Sequence, residues 1–358
     1  MISDDFPKSE FEFHERFSTE EDCREYLFQV RWPKGFICPH CGYTQCWRRS
    51  NRDELICAAR ACGKETSLRA GTVLHNSRKP LKQWLMAMFH MTNNKQAISA
   101  FLLQRLMGFG SINTAIRWLR ELRRAMASVV ENHRLRGEVE ADEANIAGKK
   151  EGGKRGKGAH PVRMLVMVER LETGCGRARI QYIRGYAHAQ IQGFIDQVVE
   201  KGSVLHTDGE RAYRSLDLMG YIPDSRVITH TRGKDKGKTK KLDEGKKSVL
   251  VHLPRVHRVI SLVKRVILGA YQGRYSERHV QSYLDEYCFR FNRRNDKRPL
   301  ALFQRLAPAI FDQKAVPYWK SSGRPYNKKP ADGQPYFVRD QRKVDRINAW
   351  RALAKDGI

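Results

Sequence analysis

The sequence lacks long hydrophobic runs. No stretch of about 18 uncharged apolar residues occurs, which excludes a membrane-spanning helix. The first residues, MISDDFPKSEFEFHERF, lack the basic and apolar regions of a secretory signal. No internal repeat is visible either. We therefore expect a cytoplasmic protein without a membrane partner.

Acidic residues are also scarce. Asp and Glu number 39 against 67 Lys and Arg, which leaves a net charge of +28 among 358 residues. A pI near 10.0 favours a polyanionic partner, mainly nucleic acid, over simple solubility. A membrane surface is less favoured because no basic amphipathic helix with a broad apolar face stands out. Apolar residues make up 41% of the chain, enough for folded cores, and the length allows two or three domains.

Six of the eight cysteines fall within the first 62 residues. A disulfide framework would suit a small secreted domain, so this clustering indicates a metal. Two pairs each precede a glycine, one spaced C-x2-C and the other C-x4-C: Cys38 with Cys41, and Cys57 with Cys62. Such pairs predict a structural four-cysteine zinc ribbon, because zinc needs four ligands from two turns that can face each other. Cys46 or His40 could replace one of the four.

Residues 81–130 have helical periodicity. Gly108 and Gly110 separate two helices, an arrangement typical of a helix-turn-helix, although a plain helical hairpin is the alternative. Apolar residues of the first helix repeat at helical spacing: Ile98, Phe101, Leu102 and Leu106. The second helix carries residues suited to groove and phosphate contacts: Asn113, Arg117, Arg120, Arg123 and Arg124.

Residues 136–230 alternate short apolar runs with a helix, which predicts a mixed α/β layered domain. Two basic, glycine-rich loops interrupt this region, at 148–160 and 232–247. They are either solvated loops or flexible arms over a phosphate backbone. The candidate DNA contacts in the first loop are Lys149, Lys150, Lys154, Arg155 and Lys157.

Two aspartates stand where a strand gives way to a loop. Asp142 lies in GEVEADEANIAG, and Asp208 directly follows the run SVLHT. Carboxylates at adjacent strand ends can share the divalent metals of two-metal phosphoryl chemistry, although a lone aspartate there can instead cap a turn or helix. A third ligand is expected from a helix at 255–273, where His257, Ser261 and Lys264 share one stripe.

The order of these motifs along the chain resembles that of a DDE-type insertion-sequence transposase of the zinc-ribbon, ISXO-type class. The resemblance spans about residues 10–300 and rests on CPHCG, SLRAGTVLHNSRKPLKQW, VEADEANIAGKKEGGKRGKG, TDGERAY, HRVISLVKRVILGAYQG and YLDEYCFRFNRR. It implies an RNase H-like catalytic domain with Asp142 and Asp208 as metal ligands. It places His257 at the third acidic position and matches Lys264 to the family's basic residue. Most DDE enzymes have Glu at that third position, but Asn or His also occurs in this class.

The resemblance implies a multidomain α+β protein with four parts. We expect an N-terminal helix and zinc ribbon at 1–75, a helix-turn-helix region at 76–132, the RNase H-like domain at 133–300 and a basic extension at 301–358. A homodimer or higher oligomer would bind terminal inverted repeats and join them to target double-stranded DNA, in the bacterial cytoplasm and nucleoid. The cofactors would be structural Zn²⁺ and two catalytic Mg²⁺ or Mn²⁺ ions, and imidazole suits Mn²⁺ better.

Three alternatives stay open. The first is a decayed or repurposed transposase that binds DNA without catalysis, which His257 favours. The second is a nuclease of the same fold that cuts branched DNA but never joins strands. The third, a zinc-ribbon RNA-binding protein, is weak because no aromatic RNA-stacking signature is visible.

Overall fold

The computed structural model describes most of the chain up to residue 313. The described ranges are 6–49, 53–94, 97–131, 133–146, 149–150, 162–183, 188–225, 253–271, 274–275 and 277–313. Lys154, Arg155, Lys157, the loop at 232–247 and the tail after 313 lie outside them.

The chain begins with two short helices and a small sheet. Helix α1 spans Glu10–Arg16, and α2 spans Glu20–Arg31. Thr19 and Asp22 form a capping box at the start of α2, so two otherwise unpaired backbone N–H groups gain acceptors. The three antiparallel strands of the sheet are β1 (Cys46–Arg48), β2 (Glu54–Cys57) and β3 (Glu65–Ser67).

Three helices follow: α3 (Leu81–Asn93), α4 (Ala100–Met107) and α5 (Ile112–Glu131). Gly108 ends α4 in the left-handed conformation, with φ of 62°, where a glycine has no Cβ to clash. Trp84 of α3 stacks on Trp118 of α5 at 3.7 Å between ring centroids. This aromatic pair helps to hold α5 against α3.

A five-stranded mixed sheet forms the centre of the second half. Its strands are β4 (Glu138–Ile146), β6 (Val162–Arg170), β7 (Cys175–Ile183), β8 (Val204–Thr207) and β9 (Ile222–Ser225). The order is β7-β6-β4-β8-β9. Strand β6 is antiparallel to both neighbours, whereas β4, β8 and β9 are parallel. Outside this sheet, β5 (Lys149–Lys150) pairs in parallel with β10 (Arg274–Tyr275).

Helices cover both faces of the sheet. One face packs against α6 (His188–Val198) and a 3-10 turn (Arg211–Tyr213), and the other against α7 (Pro254–Tyr271) and α8 (Glu277–Phe291). The five side chains from Met164 to Val168 on β6 are fully buried and alternate between the two apolar clusters. The mixed sheet with flanking helices, together with the N-terminal ribbon, confirms the predicted α+β fold class.

The predicted C-terminal extension begins with a packed helix, α9 (Ala301–Asp312). It contacts α2, α3 and α5. One apolar cluster joins α1 to α5, α7 to α9 and one face of the sheet. None of the helices in the described ranges is long and apolar enough to cross a bilayer.

A buried ion network ties α5 to α8. Arg123 donates to Glu286 at 2.8 Å, and Arg290 donates to the other oxygen of that carboxylate at 3.0 Å. The Tyr271 hydroxyl donates to Glu286 at 3.0 Å. Arg123 was predicted to suit groove or phosphate contacts, and this prediction is wrong because its guanidinium is buried in the protein interior.

Candidate functional site

The pairing of β4 with β8 brings Asp142 and Asp208 side by side. These strands are parallel, with Glu140 opposite His206. Two residues further along, the same register places Asp142 level with Asp208, which follows the end of β8. Carboxylate oxygens of Asp142, Asp208 and Glu143 all lie within 4.8 Å of one another. The structure therefore gathers the two predicted aspartates and adds a third acid.

Glu143 is the acid that the sequence analysis missed. Simple strand alternation directs it away from the face that carries Asp142. Because Asp208 lies beyond the end of β8, carboxylates from both faces of β4 can approach it. The buried hydroxyl of Tyr213 donates to Glu143 at 2.6 Å and holds that carboxylate in place.

His257 reaches the same cluster from helix α7. Its Nε2 atom is 3.7 Å from Asp142 Oδ2, and this buried nitrogen has no hydrogen-bond partner in the described structure. Lys264 lies on the same face of α7 as His257, two turns further along the helix. It is close enough to act electrostatically on both Asp142 and His257. All four predicted catalytic residues thus lie around one point.

Glu140 fixes the start of α7. Its carboxylate is fully buried and accepts hydrogen bonds from the backbone N–H groups of Arg255 at 2.8 Å and Val256 at 2.9 Å. A carboxylate at a helix N-terminus satisfies unpaired N–H groups and complements the helix dipole. Glu140 lies two residues before Asp142 on the same face of β4, so one strand positions both Asp142 and the helix that carries His257.

Two carboxyl groups of this cluster, those of Asp142 and Glu143, have raised pKa values. Burial, and then the charge of Asp208, raise the pKa of Asp142 to about 6. Burial also raises the pKa of Glu143 to about 7, although the hydrogen bond from Tyr213 acts in the opposite direction. Burial lowers the pKa of His257, which favours the neutral imidazole that can bind a metal.

These features fit a divalent cation. Crowded carboxylates repel one another in a partly buried site, and a cation between them would relieve that repulsion. The buried Nε2 of His257 would also gain a partner. Oxygen ligands with one imidazole suit Mn²⁺ and are compatible with Mg²⁺, which prefers oxygen.

The four predicted cysteines also converge. Cys38 Sγ lies 3.9 Å from Cys62 Sγ, and Cys41 Sγ lies 3.5 Å from Cys57 Sγ. Zn–S bonds of about 2.3 Å in a tetrahedron place sulfurs about 3.8 Å apart, so the cluster fits zinc. Cys46 and His40 are not members of this cluster.

Backbone geometry prepares the first cysteine pair for a metal. Burial acts to raise the pKa of the Cys38 thiol, but N–H groups of His40 and Cys41 donate to it and lower its pKa to about 7. A thiolate is the form that binds zinc. Gly42, with φ of 76°, turns the chain so that its N–H donates to the Cys38 carbonyl at 2.9 Å.

The helix-turn-helix differs from the expected pattern. Phe101, Leu102 and Leu106 were expected to form an apolar face, but their side chains are exposed, and only Ile98 of that set is buried. Conversely, α5 has no exposed side chain from 114 to 130 in the described structure. The exposed residues of α5 lie at its two ends, Ile112 and Asn113 in the first turn and Glu131 at the last position.

The predicted DNA contacts are only partly placed. Arg117 and Arg120 are half-buried on α5. Lys149 and Lys150 lie on β5, whose backbone pairs with Arg274–Tyr275 beside the end of α7. A role in DNA binding stays a prediction for all four.

The fold and site define a class of protein. Numbered along the chain, the sheet has the order 3-2-1-4-5 with its second strand antiparallel, and acids stand on the first strand and after the fourth. This is the RNase H-like arrangement with an acidic metal centre that the resemblance implied.

Comparisons with known proteins give the family. The ISXO2-like transposase domain family matches residues 134–292, and the transposase zinc-ribbon domain family matches residues 18–65. An "Uncharacterized protein in transposable element ISH50" of Halobacterium salinarum is 23% identical over 217 residues, covering 56% of this chain and 71% of that protein. The chain therefore contains both domains of this class of insertion-sequence transposase, and a DDE domain of this kind implies a phosphoryl-transfer enzyme that acts on DNA.

Proposed function

We propose that this chain binds the terminal inverted repeats of an insertion sequence, cleaves DNA at their ends and joins the ends to target DNA. One observation carries the proposal. Asp142, Asp208 and the unpaired Nε2 of His257 converge within a chain that has both domains of the transposase family.

Asp142, Asp208 and His257 would hold the divalent ions, and Glu143 supplies a further oxygen. Two ions held in this way activate the attacking oxygen and stabilise the leaving oxygen of an in-line phosphoryl transfer. Tyr213 keeps Glu143 oriented towards Asp208, while Glu140 holds α7 so that His257 faces Asp142.

The reaction requires two transfers at the same residues. In the first, a water oxygen attacks phosphorus at the element end and the bond to the 3′ oxygen breaks, which leaves a 3′-hydroxyl. In the second, that hydroxyl attacks a phosphodiester of the target and displaces the target's own 3′ oxygen. Lys264 would contact the phosphate near the scissile bond, where its positive charge stabilises the transition state. No covalent link to the protein forms.

DNA binding would combine several surfaces. The net charge of +28 supplies long-range attraction to the backbone. The zinc ribbon and the first turn of α5 would contact the element ends, and Lys149 and Lys150 would contact phosphates near the active site. Because two ends must be joined to one target, a homodimer or larger assembly fits the reaction.

Strand transfer in vitro tests the proposal. The full chain is mixed with labelled element-end duplex, a target plasmid and Mg²⁺ or Mn²⁺, beside the Asp142→Ala variant. We expect joined product from the wild type, and a loss of at least about a thousandfold in the variant with unchanged end binding. Joining by Asp142→Ala at the wild-type rate would contradict the assignment.

A second candidate function is sequence-specific DNA binding without catalysis. The observation that favours it is His257 at the position where most DDE enzymes carry Glu, since an imidazole brings no negative charge to that position. The His257→Glu variant separates the two functions. Joining by that variant alone would mark the wild type as a DNA-binding protein that one carboxylate reactivates.

A further inference from the structure

A second charged feature lies away from the acidic cluster. A cavity of about 120 Å³ opens where the end of α5 meets the start of β7, the end of α8 and helix α9. Its polar walls are formed by His133, Arg177, Asn292, Arg293 and Arg305, which together we call the arginine pocket.

In the described structure the arginine pocket holds positive charge that no ion pair neutralises, although Asp296 acts on Arg293 at longer range. In the described part of the chain, none of the guanidinium groups of Arg177, Arg293 and Arg305 forms an ion pair with a carboxylate. Arginines nearby behave differently: Arg290 pairs with Glu286 at 3.0 Å, and Arg298 pairs with Asp296 at 2.6 Å.

Electrostatics within the pocket show the resulting repulsion. Burial, followed by the charges of Arg305 and Arg177, lowers the pKa of Arg293 to about 10. Burial and the same group of arginines lower the pKa of His133. Like charges held together cost free energy, and an anion between them would relieve that cost.

The frame of the pocket is rigid. Asn292 accepts from the Ala178 N–H at 2.7 Å and donates to the Ala178 carbonyl at 3.0 Å, which ties the end of α8 to β7. The Arg293 guanidinium lies over the Phe289 ring at 4.8 Å and donates to the Phe289 carbonyl at 3.1 Å. Arg293 is thus preorganised and loses little freedom when it binds an anion, whereas Arg177 and Arg305 are exposed and would be ordered on binding.

The size and donors of the pocket indicate the ligand. A volume of about 120 Å³ equals that of about four waters in the liquid, which suits one tetrahedral oxyanion but is too small for a nucleobase with its sugar. Guanidinium groups match the paired oxygens of a phosphate. We propose that the arginine pocket binds one phosphate of a DNA backbone, an inference that rests on the proposed function.

The pocket lies on the same sheet as the acidic cluster. Asp142 is level with Val166 on β6, which is level with Ile180 on β7. Arg177 lies three residues from Ile180, so strand spacings place its backbone roughly 14 Å from that of Asp142. Under the proposal, the pocket would hold DNA that flanks the reacting phosphate.

The test is the salt dependence of DNA binding. Fluorescence anisotropy measures binding of the full chain to a 30-base-pair duplex of random sequence, at about 50 to 200 mM salt. The variants are Arg177→Ala, Arg305→Ala and the double variant. Arg134→Ala is the matched control, because Arg134 is also exposed and adjoins the pocket residue His133 but has Asp196 as a neighbouring acid.

One lost phosphate contact should lower the slope of log K against log salt by about one, and weaken binding roughly tenfold at 0.1 M salt. Since both arginines would share one phosphate, the double variant should lose about one unit rather than the sum of two independent losses. Arg134→Ala should change neither quantity. Thermal melts should place the pocket variants at or above the wild type, because like-charge repulsion is reduced.

Two results would overturn the inference. An equal loss in Arg134→Ala would show a diffuse field rather than a pocket. An unchanged slope in the double variant would also contradict it, and if inorganic phosphate then raised the Tm of the wild type more than that of the double variant, the pocket would be a site for a free anion. If the wild type transfers strands but the pocket variants bind DNA normally, only this inference is contradicted. If the pocket variants bind DNA more weakly but the wild type does not transfer strands, only the proposed function is contradicted.

Discussion

The two metal-ligand clusters lie in surroundings of opposite kinds. The cysteines belong to a ribbon whose own apolar core has four buried members among the described residues, two of them in the cysteine cluster: Phe36, Cys38, Leu55 and Cys57. The acidic cluster lies on a sheet whose strand β6 is buried on both faces. We therefore predict that the first cluster depends on a metal for its fold, whereas the second is held by the fold whether or not a metal is bound.

The ligands follow the same division. Four thiolates form a closed tetrahedral shell that leaves no position for a substrate. Three carboxylates and an imidazole form an open set. Burial, and to a smaller extent repulsion from Asp208, raise the pKa values of Asp142 and Glu143. The cysteine cluster thus suits a cation that stabilises the fold, whereas the acidic cluster suits a cation that takes part in catalysis. The predictions below test this difference.

Loss of zinc should have the largest effect, and only on the ribbon. Structural zinc supplies roughly 10–16 kcal/mol in small zinc domains, far more than a four-residue core can. Cys57→Ser should therefore lose the metal and the hydrogen-exchange protection of β1 to β3, while β6 stays protected. Cys46→Ser is the control, because Cys46 lies opposite Cys57 in the ribbon but outside the cluster. Equal zinc loss in both variants, measured by metal analysis, would contradict the account.

Breaking the buried ion network should destabilise the larger core without any metal. Burial acts to raise the pKa of Glu286, but Arg123 and Arg290 outweigh it and lower that pKa. Glu286→Gln leaves the buried guanidinium of Arg123 and the half-buried one of Arg290 without their carboxylate, which should reduce the free energy of unfolding by about 3–5 kcal/mol. Urea unfolding measures the loss, with exposed Glu200→Gln as the control. A change below about 1 kcal/mol would show that the network contributes little.

The acidic cluster should destabilise the metal-free protein as pH rises. The folded-state pKa of Asp142, about 6, lies above its unfolded value of 3.8, so stability is highest below the unfolded value and declines as pH rises through the folded value. Asp142→Asn should therefore stabilise the protein at pH 8 by up to about 3 kcal/mol and have little effect at pH 4.

This pH comparison uses thermal melts in buffer without added Mg²⁺ or Mn²⁺. No chelator is added, because a chelator would remove zinc from the ribbon. Addition of Mn²⁺ at pH 8 should raise the Tm of the wild type more than that of Asp142→Asn. Exposed Asp217→Asn controls for the change of a carboxylate to an amide elsewhere in the domain. A variant less stable than the wild type at pH 8 would show that the cluster is not under electrostatic strain.

The smallest effect is expected at Glu140. Glu140→Gln keeps an acceptor for one N–H of α7 but removes the charge, which should cost about 1–3 kcal/mol of stability. Because α7 carries His257, strand transfer should fall by about tenfold more than end binding, and Mn²⁺ should restore part of it. Glu138→Gln is the control on the same strand, since its side chain is 53% exposed. An equal fall in both variants would show that Glu140 does not position His257.

Local patterns in the sequence predicted much of the two clusters. Cysteine spacing determines which turns can face each other, and Asp208 directly follows β8 as predicted. Asp142 was predicted at the end of a strand, and this is wrong because it lies in the middle of β4 (Glu138–Ile146), where the parallel register with β8 still brings it level with Asp208. These features depend on a few neighbouring residues, so they can be recognised without the tertiary structure. The family resemblance then added the strand order and the position of His257.

Features that depend on distant contacts were missed. Arg123 has the same local context as its exposed-looking neighbours, and only the packing of α8 against α5 shows that it is buried beside Glu286. Glu143 joins the site because Tyr213, 70 residues away, donates to it. The arginine pocket combines residues from four separate elements, none of which is unusual by itself.

The central claim is that His257 binds the catalytic metal together with Asp142 and Asp208. The most direct test is strand transfer by the wild type, His257→Ala and His257→Glu, each titrated separately with Mg²⁺ and Mn²⁺. We predict that the wild type prefers Mn²⁺, that His257→Ala loses joining with either ion, and that His257→Glu joins strands with a preference shifted towards Mg²⁺. Joining by His257→Ala at the wild-type level, with the same metal preference, would contradict the account.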